Sequence, residues 1–201
     1  MGSSSERAGR NLDTSGGGNF AAYLDGSSNI GADGTTLYLS FLLGTGDGVT
    51  NYYGLELHRD GDNDAARILQ VAAESNAALD LRANNTASTG ENFFTQTSRV
   101  ADTFVVELSF GAGTDQARVY VNPLYNQPQG ASTANATLTA ADLSFDRISF
   151  GNFSGRFIDF DDIRVGTSWA DVAGATVIPE PSTMALLLGG LSVLGLRRME
   201  R

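Results

Sequence analysis

A series of short runs in this chain alternates apolar and polar residues with a period of two. Turn-forming residues separate the runs. Leu37, Leu39, Phe41 and Leu43 fall on one face of the segment that begins at Thr36. Tyr53, Leu55 and Leu57 alternate with Gly54, Glu56 and His58. Phe104, Val106, Leu108 and Phe110 alternate with Val105, Glu107 and Ser109, and Ala117, Val119 and Val121 with Arg118 and Tyr120. Ile148 and Phe150 share a face, and Phe157 opens a last run that closes with Ile163 and Val165. Successive side chains of a strand point to opposite faces, so this pattern predicts half-buried β-strands. Weaker strands are expected at Arg67–Ala72 and Ala78–Arg82. The Gly111–Gln116 stretch, GAGTDQ, reads as a hairpin between two strong strands. Leu138–Asp146 is expected to hold a short helical turn, with Thr139 as a cap and Asp142 three residues on.

Strands of this kind must cover their apolar faces. Two packed antiparallel sheets do so, which predicts an all-β sandwich of jelly-roll type, with a closed barrel as the structural alternative. The composition agrees. Apolar residues make up 41% of the chain and charged residues 18%, enough apolar content to build a core. The 24 glycines, with many Asn, Ser, Thr and Asp, suit a chain rich in turns. The expected organisation is a disordered leader over 1–18, a sandwich domain over 19–174 and a C-terminal segment over 175–201. Met1–Gly18 lacks the apolar run of a signal peptide.

Composition also excludes chemistry. Without Cys the chain has no disulfides and no thiolate metal site. His58 is the single histidine, which rules out a zinc site built on several histidines. His58 is read as a solvent-facing strand residue. There is no Gly-x-Ser-x-Gly nucleophile elbow. The net charge of −10 repels phosphate backbones, so nucleic acid is not an expected partner.

Candidate sites remain. Asp60, Asp62 and Asp64 match the first three ligand positions of a calcium loop. The match stops there, because Ala65 stands where glycine is needed and Val71 where glutamate is needed. The alternative is an acidic hairpin turn. Asp159 and Asp161 share a strand face, which suits a cation or a charged outer face. Calcium is therefore the one cofactor considered. Trp169, Tyr120 and Tyr125, with Tyr52 and Tyr53, are candidates for stacking on a sugar ring, with core packing as the alternative. No strand carries the paired carboxylates of a glycosidase, and Glu107 stands alone on its strand.

The segment from Thr36 to Val172 resembles bacterial concanavalin A-like, laminin-G-like jelly rolls. The residues that carry the likeness are Val121–Pro123, the closing strand Ile158–Gly166, and Thr167–Val172 after it. This resemblance implies the sandwich fold and leaves function open, because the fold hosts lectins, adhesins, glycosidases and spacers.

The chain's end resembles the PEP-CTERM sorting signal of Gram-negative bacteria. Pro179, Glu180, Pro181 and Ser182 precede the apolar run Met184–Leu196, and Arg197 and Arg198 follow it. A short C-terminal hydrophobic helix is expected there. As a helix the run is about 20 Å long, against a hydrocarbon core of roughly 30 Å. It suits a transient membrane hold better than a permanent span. The resemblance implies processing by an exosortase, export to the cell surface or extracellular matrix, and association with exopolysaccharide. The family also implies an N-terminal signal peptide, which is expected upstream of Met1. The combined expectation is an exported, non-enzymatic structural or adhesive protein with weak polysaccharide binding. The alternative is a glycan-active hydrolase or lyase on the same sandwich.

Overall fold

The computed structural model describes residues 6–49, 51–74, 78–83, 92–153 and 157–174. Eleven strands pair in two antiparallel sheets among these residues. In chain order they are β1 (Glu6–Asn11), β2 (Thr36–Thr45), β3 (Tyr53–His58), β4 (Arg67–Ala73), β5 (Ala78–Ala83) and β6 (Phe94–Thr95). There follow β7 (Ala101–Ser109), β8 (Asp115–Val121), β9 (Ala136–Ala140), β10 (Arg147–Asn152) and β11 (Ile158–Gly166). One sheet has the order β1-β10-β3-β4-β5-β6 and the other β11-β2-β7-β8-β9. The chain is thus a two-sheet jelly-roll sandwich, not a closed barrel.

The alternating residues meet between the sheets. Leu37, Leu39, Phe41 and Leu43 of β2 and Phe104, Val106 and Leu108 of β7 face Tyr53, Leu55 and Leu57 of β3 and Leu69 and Val71 of β4, all buried in one cluster. Phe41 stacks on Phe104 at 5.3 Å and meets Phe150 of β10 edge-on at 5.6 Å, so the ring contacts tie both sheets together. Fully burying side chains of this size contributes about 1.5–3 kcal/mol each.

Several expectations need correction. Glu6–Asn11 lies in the stretch read as a disordered leader, yet it pairs along its whole length with β10. Its sequence, ERAGRN, has no apolar alternation, because it is an edge strand held by backbone pairing and by Arg7 rather than by an apolar face. The helical turn expected over Leu138–Asp146 is absent. Ala136–Ala140 forms β9 on β8, and the Leu143 N–H donates to the Asp115 carboxylate at 2.6 Å, which turns the chain away. In β11 the expected alternation breaks. A bulge between Asp161 and Arg164, with Asp162 at φ +49°, shifts the phase and leaves Ile163 half exposed. Phe157 stands before the strand and is 85% exposed.

A single five-residue helix, α1 (Trp169–Ala173), is found among the described residues. Its capping box joins Ser168 to Asp171, and its apolar side seals the outer face of the five-stranded sheet. No helix of the described residues is long and apolar enough to cross a membrane. The Pro179–Arg198 sorting motif and the expected C-terminal helix lie outside the described residues.

Candidate functional site

The outer face of the six-stranded sheet is where the sequence pattern places polar residues, and the registers order them into three transverse rows. Gly9, Ser149, Glu56, Gln70 and Arg82 form one row across β1, β10, β3, β4 and β5. Arg7, Gly151, Gly54, Ala72 and Asp80 form the next. Asn11, Arg147, His58 and Arg67 form the third. Among the described residues no second sheet covers this face, yet Glu56 and His58 are fully buried.

The glycine row flanks the Glu56 row, and Gly151 in it helps explain the burial of Glu56. A Cβ on Gly151 would stand 2.9 Å from the Tyr52 ring and 3.2 Å from the Phe153 ring. One on Gly54 would stand 2.3 Å from the Val71 carbonyl oxygen. Because Gly151 carries no side chain, Tyr52 and Phe153 lie close over it, and with Arg7 they roof Glu56. Tyr52 and Phe153 meet edge-on at 5.4 Å, the Arg7 guanidinium sits 5.6 Å from the Phe153 ring centre, and Arg67 sits 5.4 Å from that of Tyr52.

Glu56 is the hub beneath that roof. Its Oε1 accepts from the Tyr52 hydroxyl at 2.6 Å, from Arg67 at 2.7 Å and from an Arg7 terminal nitrogen at 3.2 Å. Its Oε2 lies 2.6 Å from Arg7 Nε, 3.1 Å from His58 Nε2 and 3.2 Å from the Ser149 hydroxyl. Burial by itself would raise the Glu56 pKa. The hydrogen bonds from His58, Tyr52 and Arg7, with the Arg7 charge, outweigh it and bring the value down to about 2. The same enclosure pushes the Tyr52 hydroxyl up, through burial first and the Glu56 charge second. His58, expected at the surface, is buried because Glu56 draws its ring inward; its Nδ1 has no partner.

The Arg59–Ala66 loop folds back over this face as a strap. Arg7, Arg147 and, at 3.9 Å from Asp64, Arg67 receive it. Asp64 bonds Arg7 at 2.9 Å, Asp62 pairs with Arg147 at 3.0 Å, and the Asp62 carbonyl accepts from Arg7. Asn63 caps the 3-10 turn at Asp64–Ala66 through the N–H groups of Ala65 and Ala66. Asp60, Asp62 and Asp64 therefore do not converge as a calcium loop. Asp62 and Asp64 turn to arginines on separate strands, and Asp60 takes φ +60° at the bend. Asp159 and Asp161 stay on one exposed strand face, with Asp161 accepting from the Asp162 N–H at 2.7 Å. Among the described residues no three His, Asp or Glu side chains form a metal-ligating group.

The strap leaves two open depressions. One, of about 370 Å³, is walled by Tyr52 and Phe153 with Asn51, Asp64, Arg67 and Glu74 around them. The other, of about 640 Å³, lies beyond Arg7 against β1 and β10. Gln70 and Arg82 both reach Glu74, so its carboxylate is engaged from the sheet side.

The outer face of the other sheet is closed. Glu107 accepts from the Tyr120 hydroxyl at 2.9 Å, from Gln129 at 2.6 Å and from Arg118 at 2.9 Å. Trp169 packs edge-on against Tyr120 at 5.0 Å and against Tyr38 at 6.2 Å, and its indole N–H donates to the Gln127 carbonyl. Of the expected stacking residues, Trp169 and Tyr120 are thus buried against each other, while Tyr125 stands exposed with its hydroxyl on Thr103. Sequence reasoning named Tyr52 as a stacking residue but passed over Phe153, Arg7 and Arg67. The glycines opposite them, Gly54 and Gly151, were the available signal.

No protein-family model matches the chain, and no curated protein sequence matches it. Solved structures with a similar fold include a galectin of Caenorhabditis elegans, at 12% identity over 69% of this chain and 89% of that one, with a TM-score of 0.42. A bifunctional GH43-CE protein of Bacteroides eggerthii aligns at 13% identity over 67% of this chain and 19% of its own, with a TM-score of 0.46. A marine alginate lyase of Aplysia kurodai aligns at 10% identity over 68% of this chain and 71% of its own, with a TM-score of 0.39. None of these likenesses assigns an activity to the chain.

Proposed function

We propose that this is an exported, non-catalytic carbohydrate-binding protein of a bacterial surface or extracellular matrix, structural or adhesive in role. The observation that carries the reading is the smaller depression of the six-stranded sheet. There Tyr52 and Phe153 offer aromatic edges and faces beside an amide, a guanidinium and two carboxylates. A sugar ring has an apolar C–H face and a rim of hydroxyls, and such a mixed lining matches both. A glycoside hydrolase would need a carboxyl group free to exchange a proton. Glu56 is enclosed and ionised, and Asp64 and Glu74 are engaged by arginines. The sorting reading rests on Pro179-Glu180-Pro181-Ser182, Met184–Leu196 and Arg197-Arg198. In it an exosortase processes the tail after the apolar run has held the chain briefly in the inner membrane.

Affinity electrophoresis of the full chain through gels containing neutral and acidic polysaccharides tests the binding reading. Retardation is expected with calcium and with chelator alike. Phe153→Ala should weaken it about fivefold, from an aromatic contribution of about 1 kcal/mol. Absence of retardation on every glycan, or release of reducing ends, would sink the proposal. Sorting is tested separately by deleting Val177–Arg201 from a chain given a signal peptide. If the shortened protein still reaches the same surface, the tail is not the address.

A further inference from the structure

The larger depression on the same face has a different chemistry. It has no aromatic wall. β1, β10 and the strap enclose about 640 Å³, floored by the register partners Gly9 and Ser149. A Cβ on Gly9 would press on Ser149 at 3.1 Å, so the floor stays low. Two guanidinium groups face this space, and they are differently engaged. Arg7 is fully committed to Glu56, Asp64 and the Asp62 carbonyl. Arg147 makes one ion pair, from a terminal nitrogen to Asp62 Oδ2 at 3.0 Å, and its buried Nε has no partner. Asp62 is itself 73% exposed and rides on the strap.

We infer that this depression binds the carboxylate of an acidic sugar, a uronate residue of a polysaccharide, with Arg147 as the group that reads it. The inference rests on the carbohydrate-binding reading of this face and names its ligand class. A guanidinium presents a planar fork of N–H donors that matches the two oxygens of a carboxylate. Asp62 occupies only one prong. An incoming carboxylate displaces it and spans the two terminal nitrogens, the buried Nε being closed to a ligand, and so exchanges an exposed single contact for a bidentate one. Exposed single ion pairs contribute little, so the internal carboxylate is a weak competitor. The chain carries a net charge of −10 and repels polyanions at long range. Recognition of an acidic glycan therefore has to come from a local donor site such as this one, and Arg147 is the arginine here with donor capacity to spare.

The test is titration calorimetry of the full chain against polygalacturonate, its fully methyl-esterified form, dextran sulfate and a neutral glucan. Polygalacturonate should bind at least tenfold tighter than its ester. Arg147→Gln should lose at least tenfold of that affinity. Asp62→Asn, which removes the internal competitor, should tighten binding a few-fold. Equal binding by Arg147→Gln, or weaker binding by Asp62→Asn, overturns the inference. So does dextran sulfate bound as tightly as polygalacturonate, since that is unselective charge attraction. If the neutral glucan binds and polygalacturonate does not, the inference fails while the carbohydrate reading stands; if none of the four binds, both fail. Should Arg147→Gln not fold, Asp62→Asn alters an exposed side chain and decides the matter alone by its sign.

Discussion

Glu56→Gln should expose how much of this fold depends on one buried charge. The substitution keeps the shape of the side chain and removes the anion that Arg7, Arg67, Tyr52, His58 and Ser149 surround. The Glu56 carboxyl lies at about 2 in the native protein against 4.5 for an unperturbed glutamate. At about 1.4 kcal/mol per pH unit this corresponds to roughly 3 kcal/mol of stability. Because the native value is depressed, that contribution is complete above about pH 4.5 and disappears as the pH falls toward 2. Across that window the unfolded chain takes up the proton that the native chain refuses. At neutral pH the variant should lose about 3–5 kcal/mol, since two guanidinium groups then lack their buried partner. Near pH 2 to 3 the gap between variant and parent should shrink to about 1–2 kcal/mol. Urea denaturation at a series of pH values measures this gap directly. Asp142, Asp171, Asp47 and Asp13 also have lowered values, but they are common to both proteins and cancel in the difference. A gap that stays constant from pH 2 to 7, or widens toward acid, would falsify the claim that the Glu56 charge holds this face together.

Two further outcomes follow from the packing. Gly54→Ala should cost at least about 2–3 kcal/mol, because its Cβ would meet the β4 backbone 2.3 Å from the Val71 oxygen; a thermal midpoint within a degree or two of the parent would contradict the glycine floor. Trp169, the sole tryptophan, is buried against Tyr38 and Tyr120 on the sheet opposite the proposed site. Its emission should be blue-shifted in the native protein and unchanged by saturating polysaccharide. Quenching or a red shift on binding would move the ligand to the other sheet.

Legibility in the sequence followed the range of the interactions involved. β2, β3, β7 and β8 could be read because one face of each is apolar and packs inward, so the pleat writes itself into the chain as a period of two. β1 could not. ERAGRN has no apolar face, and its strand state depends on β10 and on Arg7 reaching a glutamate 49 residues away. β9 was obscured by threonines that suit a helix cap and a strand equally. The calcium-like spacing of Asp60, Asp62 and Asp64 was a local pattern that distant arginines override, and the exposed reading of His58 failed because its ring is buried against the Glu56 carboxylate.

By itself the sequence determined that this chain builds strands, which faces of them are apolar, that those faces must be covered by one another, and that neither cysteine nor clustered histidine chemistry is available. Those properties depend on composition and on neighbours two residues apart. Only the tertiary structure decided which polar residues become a site. Ser149 approaches Glu56 across 93 residues and Arg67 across 11, and the roof closes on Glu56 because the register sets Gly151 of β10 beside β3 and under the rings of Tyr52 and Phe153. Register between strands distant in sequence sets which charges meet, and no local pattern records it.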